Sequence, residues 1–190
     1  MKVKNNYNEC ITNVACSIRK YFGLNYKHNT IKYLDDLLEQ KQPKNVVLIL
    51  FDGMGSKVLE KTIDENSFLR KNMYKEITTV FPATTCAATY SARTGLNPIE
   101  HGYLGWYMYV KPLDDTILLF TGKSKNTLEI NPKYEKIREK YLATKCIYDE
   151  INEQGKYKAY NLFPFGDNAY KDMDDMFTTI KEKCTEEGKK

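Results

Sequence analysis

A run of six apolar residues at positions 46–51 (VVLILF) constrains the fold more than any other feature of this chain. The run ends at Asp52 and Gly53, and Gly55 follows. A continuous apolar run of this length, bounded by turn residues, is typical of a strand buried on both faces of a parallel sheet. Asp52 is then expected at the carboxyl end of that strand, where open α/β sheets bind their ligands.

A second segment repeats this arrangement. A predicted strand at 77–81 is followed by Thr84 and Thr85, and then by a predicted helix of small residues at 86–94. A hydroxyl at the start of a helix lies among unpaired N–H groups and near the positive end of the helix dipole. If Asp52 faces the same crevice, the pair predicts a metal-assisted phosphoryl or sulfuryl transfer site.

The rest of the chain alternates between helical and extended patterns. Apolar spacing predicts helices at 10–22, 30–39, 56–62, 144–154 and 173–184, a helical turn at 67–71, a strand at 157–163, an irregular strand pair or lid at 101–120, and a polar surface excursion at 123–140. Alternation of this kind predicts one α/β domain over residues 1–190, a parallel-sheet sandwich with helices on both faces.

Charge and cysteine usage narrow the class of partner. The net charge is only +4 and the lysines are scattered, so we expect no nucleic-acid polymer as a ligand. The five cysteines show no CxxC spacing and the N-terminus has no apolar signal region, which favours a reducing cytoplasm. The longest apolar run is far shorter than the ~20 residues that span a bilayer, so no membrane association is expected.

The two segments resemble the alkaline phosphatase superfamily. The residues that carry the resemblance are FDGMG at 51–55 and FPATTCAATYSARTGLNPIEHGYLGW at 81–106. The most similar branch is the type I phosphodiesterase/nucleotide pyrophosphatase group, over about residues 45–105 and more loosely to the C-terminus. Sulfatases share the layout, but they place a modifiable Cys or Ser where this chain has Thr85, with Pro and Arg behind it. Here Cys86 comes one position late, so the sulfatase interpretation fails on register.

The resemblance implies a metal-dependent phosphoric ester hydrolase that acts on a small phosphorylated substrate. Asp52 corresponds to a metal ligand. Thr85, nine positions before the Thr94-Gly95 pair that ends the helix pattern, corresponds to the nucleophile and to a second ligand of the same ion. Two divalent cations, zinc by expectation, would activate the hydroxyl and stabilise the leaving oxygen. The Cys86 N–H would hold a non-bridging oxygen.

Three departures from the family pattern limit this interpretation. The family uses about six ligands, mostly Asp and His, whereas this chain has only His28 and His101, neither at a ligand position. The chain ends where the family begins another strand with a metal-binding Asp and His, so we expect an N-terminal part of a longer domain that is inactive alone. Trp106 replaces an Asn that holds a phosphate oxygen, which leaves the preference for monoester or diester open.

Each candidate also has a plainer interpretation. Asp52 could cap a helix after a strand, and Cys86 could be a small buried residue. Thr84 is the alternative nucleophile, and its plainer role is to cap the helix. His101 is expected to anchor the turn after Pro98, and Trp106 could serve in core packing or in a substrate pocket. The acidic residues Asp167, Asp172, Asp174 and Asp175 lack the spacing of a calcium loop and predict an acidic helix start.

Three functions follow from these patterns. The favoured one is the hydrolase with Thr85 as nucleophile. The second is a non-catalytic module that binds a phosphorylated ligand or a partner, which the shortage of histidines supports, and the third is a phosphomutase of the same superfamily. A parallel sheet that is cut partway would leave an open strand edge, so self-association through that edge is also expected.

Overall fold

A computed structural model describes residues 5–143, 145–164 and 169–186. The helices that it contains are α1 (Ile11–Tyr21), α2 (Lys32–Lys41), α3 (Ser56–Thr62), α4 (Phe68–Lys71), α5 (Thr85–Thr94), α6 (Pro98–His101), α7 (Tyr134–Tyr141), α8 (Ile147–Gln154) and α9 (Met173–Thr185). The strands are β1 (Tyr107–Val110), β2 (Asp115–Leu118) and β3 (Lys123–Ser124). These elements make a mixed α/β structure.

The small sheet is antiparallel and has the order β1-β2-β3. Tyr107 pairs with Leu118 and Val110 with Asp115, so the strand pair predicted at 101–120 is confirmed. A 3-10 turn at Lys111–Leu113 connects the strands, and Asp114 ends it in the left-handed region with φ 47°.

Helix α5 is the centre of the packing. One side of it contacts α1, α6 and α8. Cys86 and Tyr90 belong to a buried cluster with Tyr103, Ile117, Leu119 and Tyr134, which come from the segment before β1, from β2 and the residue after it, and from the start of α7. The ring of Tyr90 stacks on that of Tyr103 with centroids 3.4 Å apart. A helix rich in Ala and Ser can take this position because its short side chains allow close approach of its neighbours.

The predicted parallel sheet is not observed in the part of the chain that the structure describes. Segment 46–51 joins no ladder there, and Val47, Leu48, Ile49 and Leu50 are between 39% and 48% exposed instead of buried. The segment predicted at 77–81 forms only one parallel bridge, between Thr78 and Cys10, and the segment at 157–163 only one, between Phe163 and Ala169. A strand needs a backbone partner beside it, and an apolar run alone does not supply one.

The predicted surface excursion at 123–140 is wrong in part. It contains β3 and α7, and Tyr134 at the start of α7 is only 5% exposed. The Tyr134 hydroxyl donates to the Leu119 carbonyl oxygen at 2.7 Å. The ring fits because Gly122 has no side chain: a Cβ there would lie 2.4 Å from Tyr134 Cδ1. Among the described helices, none has the length and apolar character that crossing a bilayer requires.

Candidate active site

Asp52 follows the exposed apolar segment directly and lies in a turn before α3. Gly53 is the next residue and has φ 67°, a left-handed conformation that glycine adopts without strain. The turn points the chain into α3, whose first residue is Ser56. Asp52 is exposed and does not cap this helix, because the N-cap position belongs to Gly55. The plainer interpretation of Asp52 as a helix cap is therefore wrong.

Thr84 and Thr85 have different roles at the start of α5. Thr84 is the N-cap residue, and its Oγ1 accepts a hydrogen bond from the Ala87 N–H at 3.3 Å. Thr85 is the first helical residue, and its Oγ1 donates to the Asp52 carboxylate with 3.3 Å to each of the two oxygens. The cap role therefore occupies the Thr84 hydroxyl, and the Thr85 hydroxyl faces Asp52.

Cys86 contributes its backbone rather than its thiol to this region. The side chain is fully buried beside Tyr90 and Tyr103, and burial raises the pKa of the thiol to about 12. A thiol with such a pKa stays protonated at neutral pH and is a poor nucleophile. The Cys86 N–H lies at the second helical position, where the helix itself provides no acceptor.

Trp106 lies on the other side of α5, just before β1. Its ring meets Phe120 edge to face with centroids 5.3 Å apart, and Phe120 stacks on Tyr90. Trp106 is 41% exposed, so it is not a core residue. In the described structure its ring contact is with Phe120, and no hydrogen bond or ring contact joins it to Asp52 or Thr85.

Both histidines are engaged in hydrogen bonds. His101 is fully buried, its Nδ1 accepts from the Tyr103 N–H at 3.0 Å, and its Nε2 lies 3.0 Å from Ser91 Oγ. Because Nδ1 accepts, the neutral ring carries its proton on Nε2 and donates to Ser91. Burial lowers the pKa of His101 to about 4. The predicted anchoring role of His101 in the turn after Pro98 is thus confirmed.

His28 contacts the same turn from the other side. Its Nε2 lies 2.5 Å from Glu100 Oε2 and 3.3 Å from Asn97 Nδ2. Burial raises the pKa of Glu100, but hydrogen bonds from Lys27, the Asn97 N–H and His28 outweigh it and lower the pKa to about 2. Glu100 is therefore ionised at all physiological pH values, and His28 is fixed in a structural contact.

The oxygens of Asp52 and Thr85 are the candidate ligands for a divalent cation. Asp52 and Thr85 supply neighbouring oxygens, but the described residues contain no group of three or more His, Cys, Asp or Glu side chains that could hold a metal. Two oxygens do not fit a complete two-metal centre, which needs four or more ligands for each ion. The described part of the chain therefore presents a pair of oxygen ligands and not a finished metal site.

The acidic segment near the C-terminus forms a helix start, as predicted. Asp172 is the N-cap of α9, and its side chain accepts from the Asp175 N–H at 2.8 Å. Asp174 lies in the first turn, where its negative charge interacts favourably with the positive end of the helix dipole. Asp167 lies outside the described residues.

Arg93 is a candidate functional residue that the sequence patterns did not indicate. Arg93, in the last turn of α5, has its guanidinium 4.9 Å from the ring centroid of Phe163 and 5.6 Å from those of Tyr90 and Tyr148. The spacing of Tyr90 and Arg93 on one helical face is a signal for the first of these contacts. The others join residues far apart in sequence and have no local signal.

The sequence matches the model of a known protein family. The model of the family described as type I phosphodiesterase / nucleotide pyrophosphatase matches residues 46–187, well over half of the 190-residue chain. Searches of curated proteins and of solved structures gave no significant match. The matched range includes both the Asp52 turn and all of α5. The chain therefore belongs to the type I phosphodiesterase/nucleotide pyrophosphatase family, a branch of the alkaline phosphatase superfamily.

Proposed function

We propose that this chain is a metal-dependent phosphoric ester hydrolase in which the Thr85 hydroxyl is the nucleophile. The observation that carries the proposal is the contact of Thr85 Oγ1 with both Asp52 oxygens, at 3.3 Å each. These residues are 33 positions apart and come from different elements. The family match supports phosphoric ester hydrolysis in general, and the contact supports these residues as the place where it occurs.

The chemistry begins with Thr85. Its Oγ1 attacks phosphorus in line with the leaving oxygen, its proton passes through water to that oxygen as the P–O bond to the leaving group breaks, and a phosphothreonine forms. The Asp52 carboxylate orients the hydroxyl, and the Cys86 N–H donates to a non-bridging oxygen. Water then attacks the phosphothreonine, releasing phosphate or a monoester and restoring the hydroxyl. A divalent cation, zinc by our proposal, would be held by Asp52 and Thr85 together with further ligands from outside the described residues, and it would lower the pKa of the hydroxyl.

The proposed substrate is a small phosphorylated compound, with no nucleic-acid polymer and no membrane as partner, in a cytoplasmic protein. Trp106 is proposed to line the substrate region. Its half-exposed ring offers a surface on which a ring-bearing substrate can stack. The proposed role of Trp106 does not depend on which residue is the nucleophile, because the ring of Trp106 contacts Phe120.

The test is hydrolysis of p-nitrophenyl phosphate and of bis(p-nitrophenyl) phosphate with added zinc. We expect Thr85→Ala to lower the rate at least ~100-fold, because removing a covalent nucleophile leaves only background catalysis. Thr84→Ala is the matched control, since it removes the neighbouring hydroxyl, which caps α5. Equal rates for wild type and Thr85→Ala would remove Thr85 from the mechanism.

A second candidate is a non-catalytic member of the family that binds a phosphorylated ligand. The observation that favours it is the engagement of both histidines elsewhere, His28 with Glu100 and His101 with Ser91. Zinc-dependent binding of phosphate without turnover, lost in Asp52→Asn, would support this candidate over the hydrolase. A phosphomutase would instead transfer the phosphothreonine group back to substrate, which isotope exchange between two phosphosugars detects.

We also propose that segment 46–51 mediates self-association. It is apolar and half-exposed, and no backbone hydrogen bond from the described residues reaches it. An apolar segment with free N–H and C=O groups is a template for pairing with a second copy. Light scattering after size exclusion should show dimers that Leu48→Lys abolishes, whereas Ile99→Lys, at an exposed apolar site on α6, leaves them intact. A monomer at high concentration would refute this proposal.

A further inference from the structure

A cavity of about 240 Å³ lies beside the carboxyl end of α5, away from Asp52 and Thr85. Its polar lining comes from Arg93 of α5, Arg138 of α7 and Asn161. Its apolar lining includes Phe120, after the hairpin, and the rings of Tyr148 and Phe163. Thr85 and Arg93 are eight residues apart on one helix, which separates them by about 12 Å along its axis.

Two guanidinium groups, those of Arg93 and Arg138, bring positive charge to this cavity. Arg138 is paired with Glu135. The contacts of Arg93 are with three aromatic rings, and no carboxylate in the described residues forms an ion pair with it. Ring faces attract a cation, but they do not neutralise it. Burial raises the pKa of Tyr148, so its hydroxyl stays neutral at physiological pH and supplies no counter-charge.

The nearby carboxylates are committed to other groups. Glu150 binds Arg19 with two N–O distances of 2.8 Å. The Asp149 side chain accepts from the Cys146 N–H at 2.9 Å. Neither is available to approach Arg93 without breaking a hydrogen bond that holds α8. Within the part of the chain that the structure describes, the guanidinium of Arg93 is therefore a half-buried cation without a carboxylate partner.

We infer that this cavity is a binding site for a phosphate monoester that carries a small flat ring, distinct from the Thr85 site. The planar guanidinium of Arg93 matches two phosphate oxygens, and Asn161 can donate to a third. The aromatic walls lower the local dielectric, which strengthens the ion pair. A cavity of about 150 Å³ can already hold benzene, so 240 Å³ has room for one ring beside a phosphate.

The test uses the fluorescence of Trp106, the single tryptophan of the chain, whose ring contacts Phe120 in the cavity wall. The probes are phenyl phosphate, inorganic phosphate and phenol, at constant ionic strength and with a chelator in place of zinc, so that phenyl phosphate is not turned over at Thr85. We expect a saturable change with phenyl phosphate, a weaker affinity for phosphate and no saturation with phenol. Saturation with phenol at the same affinity as phenyl phosphate would overturn the proposal, because the site would then be apolar only.

Variants assign the binding to Arg93. Arg93→Gln should weaken phenyl phosphate binding at least tenfold, and Arg93→Lys less, because it keeps the charge without the planar fork. Arg70→Gln is the matched control, since Arg70 lies in α4 and donates to the Leu59 carbonyl oxygen. The titrations are repeated in a Thr85→Ala background, where Arg93→Gln should weaken binding by the same factor, so that occupancy of the proposed catalytic site is separated from binding at Arg93. Loss of binding in Thr85→Ala, with Arg93→Gln unchanged, would move the ligand to the other site.

A measurement on the wild-type protein covers the case in which Arg93→Gln fails to fold. In a proton–nitrogen correlation spectrum, phenyl phosphate should shift the Asn161 side-chain amide and the Arg93 Nε–H signal. The Arg70 Nε–H signal should stay in place. An unchanged Asn161 amide at saturating ligand would refute the proposed site.

Discussion

The Thr85 hydroxyl donates to both oxygens of the Asp52 carboxylate at 3.3 Å, although 33 residues separate them. The adjacent Thr84 hydroxyl is turned the other way and caps α5. Of the two neighbouring threonines at this helix end, the first therefore caps the helix and the second contacts Asp52. This division makes their effects on stability and on activity separable.

Thr84→Ala should lower the free energy of unfolding by about 1 kcal/mol, because it leaves the Ala87 N–H without its acceptor. Thr85→Ala should change it by less than about 0.5 kcal/mol, since the lost hydrogen bond is exposed and alanine favours the helix. Urea unfolding followed by circular dichroism measures both. A larger loss for Thr85→Ala would mean that its hydroxyl is structural.

His101 should make stability depend on pH. Its pKa is about 4 in the fold and 6.5 in the unfolded chain, so below pH 6.5 the unfolded state binds a proton that the folded state does not. The stabilisation is complete above pH 6.5 and is lost as pH falls towards 4, by up to about 3 kcal/mol. Urea midpoints at pH 7, 5.5 and 4.5 give the slope, and His101→Gln should reduce it. Glu100 adds its own loss below pH 4.5, so the difference between wild type and variant is the relevant quantity.

Two glycines with the same backbone conformation provide a matched pair. Gly122 has φ 73° and Gly155 has φ 69°, but only an added Cβ at Gly122 would collide, 2.4 Å from Tyr134 Cδ1. Gly155→Ala should therefore cost about 1 kcal/mol for the left-handed conformation alone. Gly122→Ala should cost about 1–3 kcal/mol more because of the overpacking. Equal thermal midpoints would show that Tyr134 moves away freely.

The ion pair between α1 and α8 should contribute strongly to stability. Arg19 binds Glu150 through two N–O contacts of 2.8 Å and also donates to the Thr94 carbonyl oxygen. The side chains are only 10% and 24% exposed, so Arg19→Ala should cost about 3 kcal/mol by leaving Glu150 without its partner. The exposed pair of Lys32 and Asp36 is the control, and Lys32→Ala should cost under about 0.5 kcal/mol. Similar losses in urea unfolding would contradict this ranking.

Thiol labelling should follow burial. Cys86 is fully buried and its pKa is about 12, so it should react with a disulfide reagent only on unfolding. Cys184 is partly exposed and should react in the folded protein. Mass spectrometry of labelled peptides separates the two, and rapid labelling of Cys86 would show that the packing around Tyr90 opens readily.

Local elements were predictable from the sequence, and pairing was not. The bounds of α3 match the prediction, and α5 is off by one residue, because helical spacing and the stop at Gly95 are encoded within one short window. The parallel sheet expected around 46–51 depends on partners elsewhere in the chain, which periodicity cannot identify. The burial of Tyr134 was not predicted, because this residue stands alone at the start of a polar helix and its burial depends on the space at Gly122.

The candidate site shows the same limit. The resemblance identified Asp52 and Thr85, and the structure brings them into contact. Arg93 gave no comparable signal, since its surroundings come from α5, α8 and the segment that contains Phe163. Only the folded chain shows that its charge lacks a carboxylate partner among the described residues.

Asp52 comes immediately after the exposed segment 46–51, so pairing of this segment and the alignment of Asp52 with Thr85 are linked. Any surface that pairs with this segment also restricts the position of the Asp52 carboxylate, and hence its alignment with Thr85. By thermodynamic reciprocity, a ligand that holds Asp52 in place must tighten that pairing to the same extent. If segment 46–51 pairs with a second copy and Thr85 is the nucleophile, as proposed above, the specific activity should depend on the protein concentration.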